Sequence, residues 1–246
     1  MSHTFKSAIL LLALILLPLS ATAYDFMEGG IAYDINSDGQ SVTVTYEQLP
    51  EYSNHYVSYS NASGSLTIPS TVLHNGKTYS VTKIGYRAFY GCSGFTGSLT
   101  IPNSVTTIGN YAFFGCSGIT EITIPSDLAD IGSNAFNGTG WYYNQPEGVV
   151  YLCNVALCYK GTVPDGTALK LRDGIKGIAY YAFEGCSGFT GSLNIPNSVT
   201  DIGNYAFSGC SGFTGSLTIP NSVPLSATMP SLVAAVSPDR STFPTP

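Results

Sequence analysis

Charge is what this chain has least of. Only 10% of its 246 residues are Asp, Glu, Lys or Arg, where roughly 25% is usual for a soluble domain. The 9 basic residues are fewer than the 15 acidic ones and do not cluster, and the formal net charge is −6. Nucleic-acid affinity needs Lys and Arg to neutralise phosphates, so a nucleic-acid partner is excluded. A charge-rich coiled coil is excluded too. No Cys-x-x-Cys spacing occurs, which removes the common zinc pattern. Gly (27), Tyr (17) and Pro (14) are plentiful instead, a turn-rich and β-prone composition.

The first residues read as an export signal. Lys6 supplies positive charge, Ala8 to Leu17 form an apolar run, Pro18 breaks it, and Ala21-Thr22-Ala23 offers small residues to a signal peptidase. Residues 1–23 are therefore expected to leave, and the mature chain to start at Tyr24. Without Lys6 it carries 15 acids against 8 bases, a net charge of −7. The apolar run is well short of the ~20 residues that span a bilayer, so no transmembrane segment is expected after cleavage. The first Cys is Cys92, which leaves no N-terminal Cys to lipidate. The expected location is exported, at the cell surface or extracellular.

Self-comparison decides the fold class. The stretch Leu99 to Cys116 recurs almost letter for letter from Leu193 to Cys210, a diverged copy runs from Ile122 to Thr139, and partial copies surround them. Phe89, Phe113 and Phe136 are 24 and 23 residues apart, as are Phe183 and Phe207 by 24, and Phe136 to Phe183 spans 47, two periods. A period of this length is one coil of a repeat solenoid, and it lies in the leucine-rich range.

One coil can be followed letter by letter. Leu99-Thr100-Ile101 alternates apolar and polar, a short strand with Leu and Ile inward and Thr outward. Pro102 ends it. Val105, Ile108, Ala112 and Phe113, three to four apart, suit a return segment facing the same core, with Gly109 expected to permit a tight bend. Stacking is expected to give one parallel ladder of strands, with Cys116 closing the coil as a small buried hydrophobe. Gly97-Ser98 stand where Glu121 stands alone. A one-residue slip in a strand reverses its faces, so this variation is expected in a loop.

The rest divides by its departures from the repeat. Residues 24–65 form a non-repeating N-terminal β cap with a hairpin, Ile31 to Ile35 and Val42 to Tyr46, around Asn36-Ser37-Asp38-Gly39. Residues 66–139 and 174–223 are the leucine-rich repeats, with a further hairpin turning at Asn75-Gly76. Residues 140–173 are an irregular hairpin insert, two strands joined at Cys153-Asn154 and preceded by Trp141-Tyr142-Tyr143. These rings are either core filling or exposed contact anchors.

The pattern Ile-Pro-x-x-Val-x-x-Ile-Gly-x-x-Ala-Phe-x-x-Cys, at Ile101 to Cys116 and Ile195 to Cys210, resembles the BspA-like leucine-rich repeat proteins of bacterial cell surfaces. The resemblance covers roughly Tyr24 to Val223, including the insert Gly148 to Gly161. It implies a leucine-rich repeat solenoid and adhesins that bind host matrix proteins, and it carries no catalytic residues. Thr139 in place of Cys and Lys170 in place of Thr or Asn depart from the pattern.

Repetition stops at Val223. Codons allowed for Pro224 to Thr245, read two bases on, spell Ser-Ile-Gly-Asn-Tyr-Ala-Phe-x-Gly-Cys-Ser-Gly-Leu-Thr-Gly-Ser-Leu-Asn-Ile-Pro-Asn. Met229 has a single codon, and its ATG falls where Asn-Tyr-Ala requires it. Residues 224–246 are therefore expected to be a frameshifted, disordered tail that replaces further repeats.

Little chemistry is on offer. Cys92, Cys116, Cys186 and Cys210 share Gly-Cys-Ser-Gly contexts, which buried thiols explain better than nucleophiles. Disulfides between Cys92 and Cys116 or between Cys153 and Cys158 stay open. Two of the three His survive signal removal, His55 and His74, and neither joins a ligand pattern. Asp34 to Gly39 matches the opening of a calcium loop, but Thr45 stands where Glu is required, and a hairpin turn needs the same residues. No catalytic residue, metal or cofactor is expected. The candidate binding surface is an outward stripe of Thr67, Thr100, Thr123, Asn194 and Thr218, together with Trp141. Thr also suits an exposed strand by propensity alone. The expectation is a non-enzymatic surface adhesion or ligand-binding module whose partner is a host or matrix protein or a glycan. The alternative is a structural spacer displaying another domain.

Overall fold

The computed structural model describes residues 24–46, 59, 63–126, 128 and 130–223. The expected export signal and the tail after Val223 lie outside the described residues. The chain begins with β1 (Phe26–Glu28), β2 (Ile31–Ile35) and β3 (Ser41–Thr45), an antiparallel meander in which Phe26 faces Tyr33 and Ala32 faces Thr45. The expected turn between β2 and β3 is present. Asp38 accepts from the amides of Gln40 and Ser41 at 2.8 and 2.9 Å and from the Ser41 hydroxyl at 2.7 Å. These bonds hold the Asp38 carboxyl below its ordinary value, and both of its oxygens accept bonds within the turn.

The strands β4 (Thr71–His74) and β5 (Lys77–Ile84) form the second hairpin. Asn75 (φ 49) and Gly76 (φ 77) both sit in the left-handed region, as a two-residue turn that follows the strand twist requires. β5 also lies parallel to β3, which joins the meander to the repeats.

Beyond β5 the strands are β6 (Gly97–Thr100), β7 (Thr107–Ile108), β8 (Ile119–Thr123) and β9 (Asp130–Ile131). A single helical turn follows, α1 (Gly140–Tyr143), then the hairpin of β10 (Gly148–Leu152) and β11 (Val155–Lys160). The last strands are β12 (Thr167–Ala168), β13 (Gly177–Ile178), β14 (Phe189–Asn194), β15 (Asp201–Ile202) and β16 (Phe213–Thr218). The architecture is a β-solenoid.

Each coil feeds two ladders, not the single one expected. The Leu-Thr-Ile strands pair in parallel as β6·β8 and as β12·β14·β16. The Thr107-Ile108 type pairs in parallel as β3·β5·β7·β9 and as β11·β13·β15. Two residues are too few to show a period of two, so the second ladder is created by stacking alone. The extra residue between coils is also placed differently from expectation. Gly97, Ser98 and Glu121 all lie in strands, and the pairing is irregular there: Gly97 pairs with Ile119 and Ser98 with Glu121, so Thr120 of β8 is passed over and Leu99 pairs with Ile122.

The core between the ladders is a column of rings. Phe89, Phe113 and Phe136 are fully buried and stacked, with centroids 5.2 and 5.4 Å apart, and Phe183 and Phe207 continue the pattern at 5.1 Å. Next to each ring a non-glycine residue takes left-handed backbone: Arg87, Tyr111, Asn134, Tyr181 and Tyr205, all with φ between 53 and 60. That conformation costs roughly 1 kcal/mol or more per residue. It turns alternate amides toward the following coil, where they are used. Tyr111, Phe113 and Gly115 donate to the carbonyls of Ser133, Ala135 and Asn137 at 2.9, 2.8 and 2.9 Å. Gly109 does not serve as the expected bend. A Cβ there would stand 2.7 Å from the Tyr86 nitrogen, so glycine is needed for close approach of successive coils.

Candidate functional site

The outward stripe is built by strand alternation. Leu99 and Ile101 are buried and Thr100 between them is exposed, and Leu193, Asn194 and Ile195 repeat this. Register then places Thr100 directly beside Thr123, and Asn194 beside Thr218. All four are exposed, as is Thr67, which lies between buried Leu66 and Ile68 in extended chain outside the strands.

The stripe is not continuous. Thr100 and Thr123 belong to one sheet, Asn194 and Thr218 to another, and the insert separates them. α1 packs against β8, occupying the place a following strand would take. Trp141 is carried there, half-buried, with its ring edge-on to Phe136 at 6.3 Å. Of the three rings in that cluster Tyr143 is the exposed one.

Thr139 sets where α1 starts. Its buried hydroxyl donates to the Phe136 carbonyl at 2.7 Å and accepts from the Tyr142 amide at 3.0 Å, as the N-cap of α1. A thiol is a poor acceptor for that amide, so a Cys at this position would leave it weakly held. Lys160 closes the other end of α1, its ammonium donating to the carbonyls of Tyr142, Tyr143 and Gln145 at 3.2, 2.8 and 2.5 Å.

The structure adds polar and aromatic residues that the pattern alone did not single out. Two positions before each stripe residue a second exposed row runs through Ser98, Glu121, Ser192 and Ser216. Ser98 donates to Glu121 at 2.6 Å, and the Ser216 hydroxyl lies 3.2 Å from that of Ser192. Period-two alternation carried this signal. On the left-handed turns Tyr86, Tyr90, Tyr111 and Phe114 form an aromatic cluster. Tyr90 stacks on Phe114 at 5.1 Å, and the Arg87 guanidinium lies over Tyr86, Tyr90 and Tyr111 at 5.0, 5.0 and 5.6 Å.

The thiols are all free. Burial pushes Cys116 and Cys210 up to about 12 and Cys158 up to about 11, so these thiols stay protonated at neutral pH. Burial, with Asp130 beside it, also raises the Asp201 carboxyl. Among the described residues no group of three or more His, Cys, Asp or Glu is placed to hold a metal ion. No helix among them is long and apolar enough to cross a membrane.

Two parallel ladders per coil, a stacked Phe column and thiols at coil spacing are what the repeat pattern encodes. The BspA-type leucine-rich repeat region matches residues 64–144 and 158–226, in six copies. The chain belongs to this family. Among solved structures, a leucine-rich repeat protein from Bacteroides ovatus is 28% identical, with a TM-score of 0.43. That match covers 81% of this BspA-type chain and 42% of the other, so the chain spans less than half of that protein. The T. pallidum leucine-rich repeat protein is 18% identical over 87% of this chain and 96% of its own, with a TM-score of 0.41. A leucine-rich cell surface protein from Faecalibacterium prausnitzii is 22% identical over 82% of this chain and 56% of its own, with a TM-score of 0.37. No curated protein matches the BspA-type chain.

Proposed function

We propose that this BspA-type repeat chain is an exported, non-enzymatic protein that works at the cell surface as an adhesion or ligand-binding module. The observation that carries this is the registered pair of exposed polar rows, Ser98-Thr100 beside Glu121-Thr123 and Ser192-Asn194 beside Ser216-Thr218. Hydroxyls, amides and one carboxylate repeated at strand spacing offer many weak hydrogen bonds along an extended partner, a peptide or a glycan. Stripe positions filled by unlike residues would be needed for acid–base or nucleophilic chemistry, and the repeats supply like residues instead. The N-terminal signal pattern supports export.

The test is binding of the purified mature chain to a panel of matrix proteins and glycans, compared with Thr100→Lys/Thr123→Lys and Trp141→Ala variants. Saturable binding that the double Lys variant weakens at least tenfold supports the reading. Absence of saturable binding across the panel, or binding that ignores both variants, overturns it and leaves the structural spacer as the better account.

A further inference from the structure

The left-handed turns line up as a corner along the stack. Arg87, Tyr111, Asn134, Tyr181 and Tyr205 hold the left-handed position in successive repeats, and Tyr86, Asn110, Ser133, Tyr180 and Asn204 precede them. Backbone bonds tie the coils together here. The amides of Arg87, Tyr111 and Tyr181 donate to the carbonyls of Asn110, Ser133 and Asn204 at 3.0, 2.9 and 3.2 Å. Across the insert, the Tyr180 amide donates to the Ile131 carbonyl at 3.3 Å. The corner is therefore bridged where the Thr stripe is split.

Neither the core nor the backbone asks for rings at this corner. Tyr86, Tyr90, Tyr111, Phe114, Tyr181 and Tyr205 all stand outside the hydrophobic core, whereas Trp141 and Tyr159 pack against it. Left-handed backbone favours Asn over a bulky side chain, and Asn134 fills that position in one coil. Tyr86 and Tyr205 are 51% and 48% exposed. Among the described residues no hydrogen bond holds the hydroxyls of Tyr86, Tyr111, Tyr181 and Tyr205.

We propose that this corner is a second binding surface, separate from the polar rows, and that its ligand is a neutral glycan chain. Tyr86 is the platform. Arg87 lies over its ring at 5.0 Å, and Tyr111 meets it edge-on, at 89° with centroids 6.3 Å apart. These contacts fix the ring and leave its other face to stack on the C–H face of a hexose. Tyr181 and Tyr205 stack on each other at 5.1 Å and 19°, so that pair presents ring edges and hydroxyls, with Asn204 next to Tyr205 in the chain. Phenols and amides are the groups that bond sugar hydroxyls. Neighbouring coils stand ~4.8 Å apart, close to the length of one hexose in an extended chain.

Composition selects this ligand over others. Of the residues at the two corner positions only Arg87 is charged, and the rest are Tyr, Asn and Ser. Tyr supplies contact area at low entropy cost, and Asn and Ser supply adaptable hydrogen bonds. A polyanion would find a single cation, already covered by three rings. An apolar protein partner would want a contiguous apolar patch, and here amides and a hydroxyl interrupt the rings.

Titration calorimetry of the mature chain with cellohexaose and chitohexaose tests the proposal, with decaproline and oligogalacturonate as ligands of other chemistry. The variants are Tyr86→Ser and the double change Tyr111→Asn/Tyr205→Asn, in which Asn suits the left-handed backbone and the fold is retained. The expected result is saturable binding of at least one hexasaccharide that each variant weakens at least about tenfold, with melting temperature held. Thr100→Lys/Thr123→Lys should leave that binding intact, which separates this surface from the polar rows. Four results overturn the proposal. Neither hexasaccharide binds saturably, or binding ignores the corner variants. Decaproline or oligogalacturonate binds more tightly than both sugars, which gives the rings a different ligand. Last, the Asn variant loses its fold while Tyr86→Ser binds normally, which makes the rings a support of the stack.

Discussion

The thiol of Cys116 donates to the carbonyl oxygen of Phe89, in the preceding coil, at 3.0 Å, and Cys210 does the same to Phe183 at 3.0 Å. These two cysteines therefore act as buried donors between coils. They answer, in the opposite direction, the amides that run forward from the turn. A catalytic or disulfide role would require these sulfurs to leave their carbonyls.

Alkaline pH should weaken the fold through these thiols. Burial raises Cys116 and Cys210 from the ordinary 9.0 to about 12, so between those values the unfolded chain has lost the proton and the folded chain keeps it. Stability is thus full below pH 9 and falls as pH rises toward 12, by at most about 1.4 kcal/mol per pH unit for each thiol. Melting of the reduced protein between pH 7 and 10.5 measures the slope. The Cys116→Ala/Cys210→Ala variant should show a shallower fall above pH 9, and an equal slope would remove the thiols as its cause.

Removing one ring from the column should destabilise the whole stack. Phe113 is fully buried between Phe89 and Phe136, and Phe113→Ala deletes contacts to both neighbours. A loss of about 3–5 kcal/mol is expected, against a total stability on the order of 5–15 kcal/mol. Urea unfolding with circular dichroism gives the value directly. A loss below about 1 kcal/mol would mean that the column is not the core.

Thr139 should tolerate only residues that can both donate and accept. Thr139→Ser keeps both hydrogen bonds and is expected to cost little, whereas Thr139→Val preserves shape, strands the Tyr142 amide and should cost about 1 kcal/mol. Thr139→Cys, which restores the repeat pattern, should behave more like Val than like Ser. Equal stability of all three would show that α1 does not depend on its cap.

Lys160 should hold the loop of the insert in place. Lys160→Met keeps the apolar stem but leaves three carbonyls at the end of α1 without their cation, for an expected loss of about 1–2 kcal/mol. The local signature is more telling than the global one. Limited proteolysis between Tyr142 and Gly148 should accelerate several-fold, with cleavage elsewhere unchanged.

Much of this was legible in advance because inward-facing residues leave a periodic trace. Leu99, Ile101, Val105, Ile108, Ala112, Phe113 and Cys116 are all buried, as their spacing implied. Turn chemistry was equally legible at Asn75-Gly76 and around Asp38. The second ladder was not, because Thr107-Ile108 is too short for a pattern. The split of the Thr stripe into two sheets was not either, since nothing local to Thr123 and Asn194 says whether the insert between them preserves the stack. The aromatic group around Arg87 escaped notice for a related reason: Tyr86, Tyr90 and Tyr111 meet only because the turn at each coil adopts left-handed backbone.

The amino-acid sequence by itself determined the length of a coil, which side chains point inward, where the repeats break, and the family to which they belong. These follow from periodicity, which records how each residue faces relative to its own backbone. Tertiary structure decided which atoms of one coil meet which atoms of the next: the Cys116–Phe89 bond, the carbonyl cage of Lys160 and the close approach that demands Gly109. Such pairings depend on the rise and rotation between coils, which arise only when whole coils stack.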